Sequence, residues 1–179
     1  VSYNIFSSNY LELDLFQDLK FKQTIGFNYT GNNRYTYYGR YTLEGKSPTN
    51  GLAGQADNWN TGLTLESMLT YDKTFNKKHH FNIMAAFTAE RADWGSKSLT
   101  AYDFDNDYMM MYKLSAGKKQ KQPQSGRGMS SLSSVLGRIN YDLMDRYLFT
   151  ASFRYDGSSK FAKENRWAFF PSVAVAWRA

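Results

Sequence analysis

Apolar and polar residues alternate with a period of two through most of this chain, and the alternation predicts strands. Over 19–30 the apolar set is Leu19, Phe21, Ile25, Phe27 and Tyr29, separated by Lys20, Lys22, Thr24, Gly26, Asn28 and Thr30. Over 61–75, Leu63, Leu65, Leu69 and Tyr71 alternate with Thr64, Glu66, Thr70 and Asp72. Over 80–90 one face reads Phe81, Ile83, Ala85, Phe87, Ala89. The pattern recurs as Val135, Gly137, Ile139, Tyr141, Leu143, then as Tyr147, Phe149, Ala151, Phe153, Tyr155, then as Trp167, Phe169, Pro171, Val173, Val175, Trp177. A helix would spread these residues around its whole circumference. The predicted strands are 3–16, 19–30, 61–75, 80–90, 133–143, 147–156 and 167–178. Pro171 lacks an amide donor and predicts a bulge or bend.

The connections are asymmetric. Gln17-Asp18, Asn76-Lys77-Lys78-His79 and Met144-Asp145-Arg146 close three hairpins with very short turns. The joins between hairpins, 31–60, 91–132 and 157–166, are long and polar. Short turns at one end and long loops at the other is the layout of an outer-membrane β-barrel. Rings sharpen this: Tyr147 and Tyr155 lie eight residues apart on one face, and Trp167 and Trp177 bracket another strand. With Tyr71 and Tyr141 they are the candidate aromatics of the membrane interface. The opposite face carries Glu12, Asp14, Lys20, Lys22, Glu66, Asp72, Glu90, Arg138, Asp142 and Arg154. Burying such charges unpaired costs several kcal/mol each, so this face calls for the wide, watered lumen of a many-stranded barrel. The fold class expected is all-β: an antiparallel transmembrane β-barrel wall segment of about seven strands, an open curved sheet if taken alone. The strand entered midway at 1–8 and the strand that ends at Ala179 read as cut ends.

Composition fits. Aromatics make up 17% of the chain, yet hydrophobic residues total only 42%, as expected of strands apolar on one face. No apolar run approaches the roughly 20 residues of a spanning helix, but a spanning strand needs only about 9–11 alternating residues. The absence of cysteine excludes a disulfide framework and thiolate chemistry. The net charge of +6 is spread out apart from Lys118-Lys119-Gln120-Lys121, whereas nucleic-acid binding needs a clustered basic face. No signal peptide is visible, so we expect one processed away or an internal piece of a longer protein.

Residues 131–178 resemble the SusC/RagA-type TonB-dependent receptors. The carrying motifs are Ser133-Ser134-Val135-Leu136-Gly137-Arg138-Ile139-Asn140-Tyr141, Asp145-Arg146-Tyr147-Leu148-Phe149-Thr150, and Phe153-Arg154-Tyr155-Asp156-Gly157-Ser158-Ser159-Lys160-Phe161. Asn165-Arg166-Trp167-Ala168-Phe169-Phe170-Pro171-Ser172 and Ala176-Trp177-Arg178 follow. Tyr71-Asp72-Lys73-Thr74-Phe75-Asn76 and the Asn106-Asp107-Tyr108 loop extend the resemblance upstream. It implies that residues 1–179 are part of a receptor β-barrel domain of 22 strands, with the plug and N-terminal regions lying outside this stretch. It further implies import of oligosaccharide or peptide at the cell outer membrane, with a SusD-like surface lipoprotein and the TonB complex as partners.

Candidate chemistry is sparse. Adjacent histidines in a strand, His79-His80, point to opposite faces and make a poor metal pair. Asp103-Phe104-Asp105-Asn106-Asp107 fails the EF-hand pattern, because Tyr108 replaces Gly and Leu114 replaces Glu; it reads as a polar loop, with an irregular calcium site left open. There is no G-x-S-x-G or P-loop, and we expect neither an enzyme, a cofactor nor a metal centre. Met109-Met110-Met111 is expected beneath a loop. Ligand or lid-protein contact is expected in extracellular loops at Arg34, Tyr35, Tyr37, Tyr38, Arg40, Tyr41 and Trp59, where rings and amides suit sugars or peptides. Two alternatives stand beside the importer: a small self-contained outer-membrane barrel with an eighth strand near 102–112, acting as an adhesin or structural protein, and a soluble carbohydrate-binding β-domain.

Overall fold

The computed structural model describes residues 1–178. It contains eight strands: β1 (Ser2–Phe16), β2 (Leu19–Tyr38), β3 (Leu52–Phe75), β4 (His79–Phe104), β5 (Gly117–Gln120), β6 (Gln124–Leu143), β7 (Tyr147–Ser158) and β8 (Trp167–Trp177). They form one sheet in the order β1-β2-β3-β4-β6-β7-β8, with β5 beside β4. Sequential neighbours pair because each hairpin closes locally. The β3–β4 and β6–β7 turns place Asn76, Lys77, Met144 and Asp145 at positive φ. That is the backbone of the primed turns whose twist matches the flanking strands.

The all-β antiparallel class is as expected; the boundaries are not. Strand β2 runs eight residues past 30, β3 begins at Leu52 rather than 61, β4 continues to Phe104, and β6 begins at Gln124. The polar joins expected over 31–60 and 91–132 shrink to 39–51 and 105–123. The reason is physical. Asn32, Asn33, Arg34, Thr36, Asn58 and Ser96 are polar on both strand faces, so hydrophobic alternation is silent there while the backbone still pairs. The eighth strand is the four-residue β5 rather than one near 102–112, which instead holds the end of β4 and the short 3-10 helix Met110–Tyr112.

Pro171 makes no bulge. The β7–β8 register is unbroken across it, with Ser152↔Ser172, Phe153↔Pro171 and Arg154↔Phe170. Ser158 N–H donates to the Arg166 carbonyl, and Arg178 N–H to that of Arg146. These bonds place even-numbered β8 residues in the hydrogen-bonded pairs. Pro171 is odd, so its donorless nitrogen faces away from β7 and costs that ladder nothing.

The residues cluster into two units. The first comprises 1–5, 28–61 and 93–129; the second comprises 6–27, 62–92 and the chain from 130. In the second, the odd-numbered apolar positions are exposed, among them Leu63, Ile83, Phe87, Ile139, Phe149, Val173 and Trp177. Buried hydrophobics are confined to Ala53, Ala101 and Phe104 of the first unit among the described residues. A folded monomer of 20.7 kDa would expose about 8,900 Å², yet this sheet exposes 12,975 Å². An apolar face left this bare marks a membrane or partner surface, not a water-soluble domain.

Polar residues occupy the other face and pair there. Lys20 Nζ lies 3.6 Å from Asp14, Lys22 sits 4.5 Å above the Tyr10 ring, and Arg154 Nε bonds Asp156 at 2.7 Å. A paired polar face opposite a bare apolar face is the reverse of a soluble core and the pattern of strands in a lipid-embedded barrel.

The candidate functional site on the extended strands

The first unit has two faces with different work to do. Tyr37, Ala53 and Ala101 of the odd-numbered face pack with Phe104 and Leu114. The Tyr37 and Phe104 rings meet edge to face at 6.0 Å. The 105–116 segment is tied to this face by side chains. The Tyr37 hydroxyl donates to Asp107 Oδ1, Arg40 Nε lies 3.4 Å from the same carboxylate, and Arg40 Nη1 donates to the Asp105 carbonyl at 3.0 Å. Burial, with the Asp107 carboxylate beside it, pushes the Tyr37 phenol up to about 12.

All three aspartates of the Asp103-Phe104-Asp105-Asn106-Asp107 run are engaged by protein donors. Asn50 donates to Asp103 at 3.2 Å and Lys119 approaches it at 3.5 Å; the Asn50 amide and then Lys119 hold its carboxyl below the usual range. Lys118 pairs with Asp105, and Tyr37 and Arg40 take Asp107. Met109 and Met110 are exposed rather than beneath the loop, because the 3-10 turn there presents them to solvent.

The loop-contact candidates therefore separate. Arg34, Tyr35, Tyr37, Tyr38 and Trp59 lie on strands β2 and β3, not in loops; the loop placement is corrected for the reason given above. Tyr37 and Arg40 hold the 105–116 segment. The Trp59 ring lies against Gly95, where an added Cβ would stand 2.6 Å from it, with the Arg127 guanidinium 5.8 Å away on the ring. Tyr35 is exposed, and Tyr41 in the 39–51 loop is 92% exposed. Arg34 and Tyr38 line a hollow of about 240 Å³ with Thr36, Gly54, Ala56, Ser98 and Thr100.

A second hollow of about 470 Å³ shares Ala56 and Ser98 with the first and is lined further by Asn58, Trp94, Ser96, Lys97, Gln124, Ser125 and Gly126. Trp94, missed by the sequence reading, is the aromatic ring in its lining. Alternating polar and small residues around it gave no aliphatic signal. Asn82 and Asn140 touch across β4 and β6, and Trp94 lies over Gly128 on the same pair of strands.

The interface candidates lie in the second unit. Tyr147 pairs across from Trp177, whose ring lies 5.9 Å from the Arg146 guanidinium. Tyr141 stacks on Phe81 at 4.6 Å and its hydroxyl meets His79 Nδ1 at 2.8 Å. Tyr155 stacks on Trp167 at 4.8 Å. Tyr71 is partly exposed on β3. His80 contacts Thr74 at 3.0 Å, so the two histidines have different partners.

Comparison with known proteins agrees with this architecture. The family model "TonB dependent receptor-like, beta-barrel" matches residues 2–179. TonB-dependent receptor P39 of Formosa agariphila is 32% identical over 95% of this chain, which spans 16% of that receptor. TonB-dependent receptor SusC of Bacteroides thetaiotaomicron is 55% identical over 27% of this chain and 5% of its own length. Among solved structures, the RagAB peptide transporter superposes with a TM-score of 0.89 and 19% identity over 96% of this chain and 19% of that one. The chain belongs to the TonB-dependent receptor family and forms part of the β-barrel wall of a SusC/RagA-type receptor.

Proposed function

We propose that this chain is a wall segment of an outer-membrane importer that takes up an oligosaccharide or a peptide. A SusD-like surface lipoprotein would deliver the substrate and the TonB complex would supply energy; both would engage the longer protein of which this segment is part. One observation carries the reading: the exposed odd-numbered face is apolar while the even-numbered face carries paired charges and amides. Only a sheet with hydrocarbon on one side and water on the other makes that distribution favourable. Tyr141, Tyr147, Tyr155, Trp167, Trp177 and Tyr71 would anchor the strands at the lipid boundary, where rings with one polar atom are at home. This is a transport role, not a catalytic one.

The test is an in-frame deletion of the gene that encodes the segment. Uptake of labelled oligosaccharides and of labelled peptides is measured in whole cells, with and without a protonophore. Loss of energy-dependent uptake of one class supports the proposal. Unchanged uptake of both classes refutes it.

A further inference from the structure

Resting on the importer reading, we propose that the hollow lined by Trp94 is a subsite for a neutral oligosaccharide, with the Trp94 indole as the platform on which one sugar ring stacks. The platform is built, not incidental. A Cβ at residue 128 would stand 2.3 Å from Trp94 Cε2 and Cζ2, so the indole lies directly on the backbone of Gly128. Gly126 continues the floor, 3.9 Å from Cζ3 by the same measure. One face of the ring is spent on the strand; the residue is nonetheless 51% exposed, which leaves the other face to the hollow.

The surrounding chemistry selects the ligand class. Asn58, Ser96 and Gln124 offer amides and a hydroxyl around the ring, each able to donate and accept as sugar hydroxyls do. No carboxylate lines the hollow, and Lys97 is its one formal charge. A free peptide brings an ammonium group that asks for a carboxylate, and apolar side chains that ask for apolar pockets. A neutral pyranose brings an apolar C–H face for the indole and a rim of hydroxyls for the amides. The volume of about 470 Å³ is that of an ordinary small-ligand site. The adjoining hollow, beyond Ala56 and Ser98, gives a chain of sugars room to continue. Trp59 cannot serve in the same way, because its ring is held between Gly95 and Arg127.

The experiment uses the full-length receptor, purified in detergent, and titration calorimetry. The probes are neutral α- and β-linked hexasaccharides of glucose, galactose, mannose and xylose, with a tryptic digest of casein as the peptide probe. At least one hexasaccharide is expected to bind. Trp94→Ala should weaken it about tenfold or more and Trp94→Phe less, since a smaller ring still stacks. Gly128→Ala changes no substrate contact but lifts the indole, so it should weaken binding in the Trp94 protein and add nothing on the Trp94→Ala background. Heat-modifiable migration of each variant reports that the barrel is folded. Binding of the peptide digest alone, failure of every hexasaccharide, or sugar binding indifferent to Trp94→Ala in folded protein overturns the assignment. The importer reading is tested separately, by the energy dependence of uptake in cells; it survives if peptide uptake persists while the sugar subsite fails.

Discussion

Arginine placed at Val173 should cost far more than arginine placed one residue later, at Ala174. Val173 is 78% exposed on the odd-numbered face and pairs across from Ala151. Ala151 lies four residues from Tyr147 and four from Tyr155. At about 3.3 Å per residue and a tilt near 40°, four residues span roughly 10 Å of depth. Val173 therefore sits near the middle of the band those rings bracket. An arginine facing lipid at that depth costs about 2–4 kcal/mol, or roughly 30- to 1,000-fold in the folding equilibrium. Ala174 faces the other way and pairs across from Thr150, so arginine there reaches water and should cost about 0.5 kcal/mol or less. The assay is denaturant unfolding of the full-length receptor from phospholipid vesicles, comparing the two variants with the parent. Equal costs, or a larger cost at Ala174, would refute the assignment of faces.

Three more perturbations probe other parts of the structure. Gly137→Ala puts a Cβ 2.3 Å from Phe153 Cε1 and should destabilise by about 1–3 kcal/mol; in the same unfolding assay the cost should largely vanish once Phe153 is alanine, and a cost that persists would refute the contact. Tyr37 has its phenol raised from 10.0 to about 12, so the folded state binds its proton more tightly. The stability this confers is complete below pH 10 and is lost as pH rises through 12. Asp107→Asn should bring the Tyr37 value part of the way down, because burial, the larger cause, remains; tyrosinate absorbance, parent minus Tyr37→Phe, measures it, and an unmoved value refutes the role given to Asp107. Trypsin acting on outer-membrane vesicles should cut after Lys46 and Lys113 well before Arg34 and Lys97, which lie in paired strands; first cleavage at Arg34 would show that β2 ends where alternation ends.

Legibility followed lipid contact. Where one face meets hydrocarbon, as at Phe149, Ala151 and Phe153, selection for apolar side chains writes a period of two that is visible without coordinates. The hairpin turns were legible for a related reason, since Asn76 and Asp145 suit the positive φ a tight turn needs. Beyond the band, Arg34, Asn58 and Ser96 face water or a watered lumen on either side. Nothing there demands alternation, and the strands read as loops. Pro171 forms no bulge; sequence reports the missing donor but not which neighbour it faces.

The chain by itself determined the all-β class, the face of each membrane strand, the order of the hairpins and the family, because all of these rest on local patterns of a few residues. Tertiary structure alone decided how far the strands continue, and that Tyr37 and Arg40 secure a segment about 70 residues away. It also decided that one tryptophan is held beneath a guanidinium while another lies open on a glycine. Those outcomes depend on which strands become neighbours and in what register. Residues far apart in sequence supply the glycine, the carboxylate or the cation that settles what each ring can do.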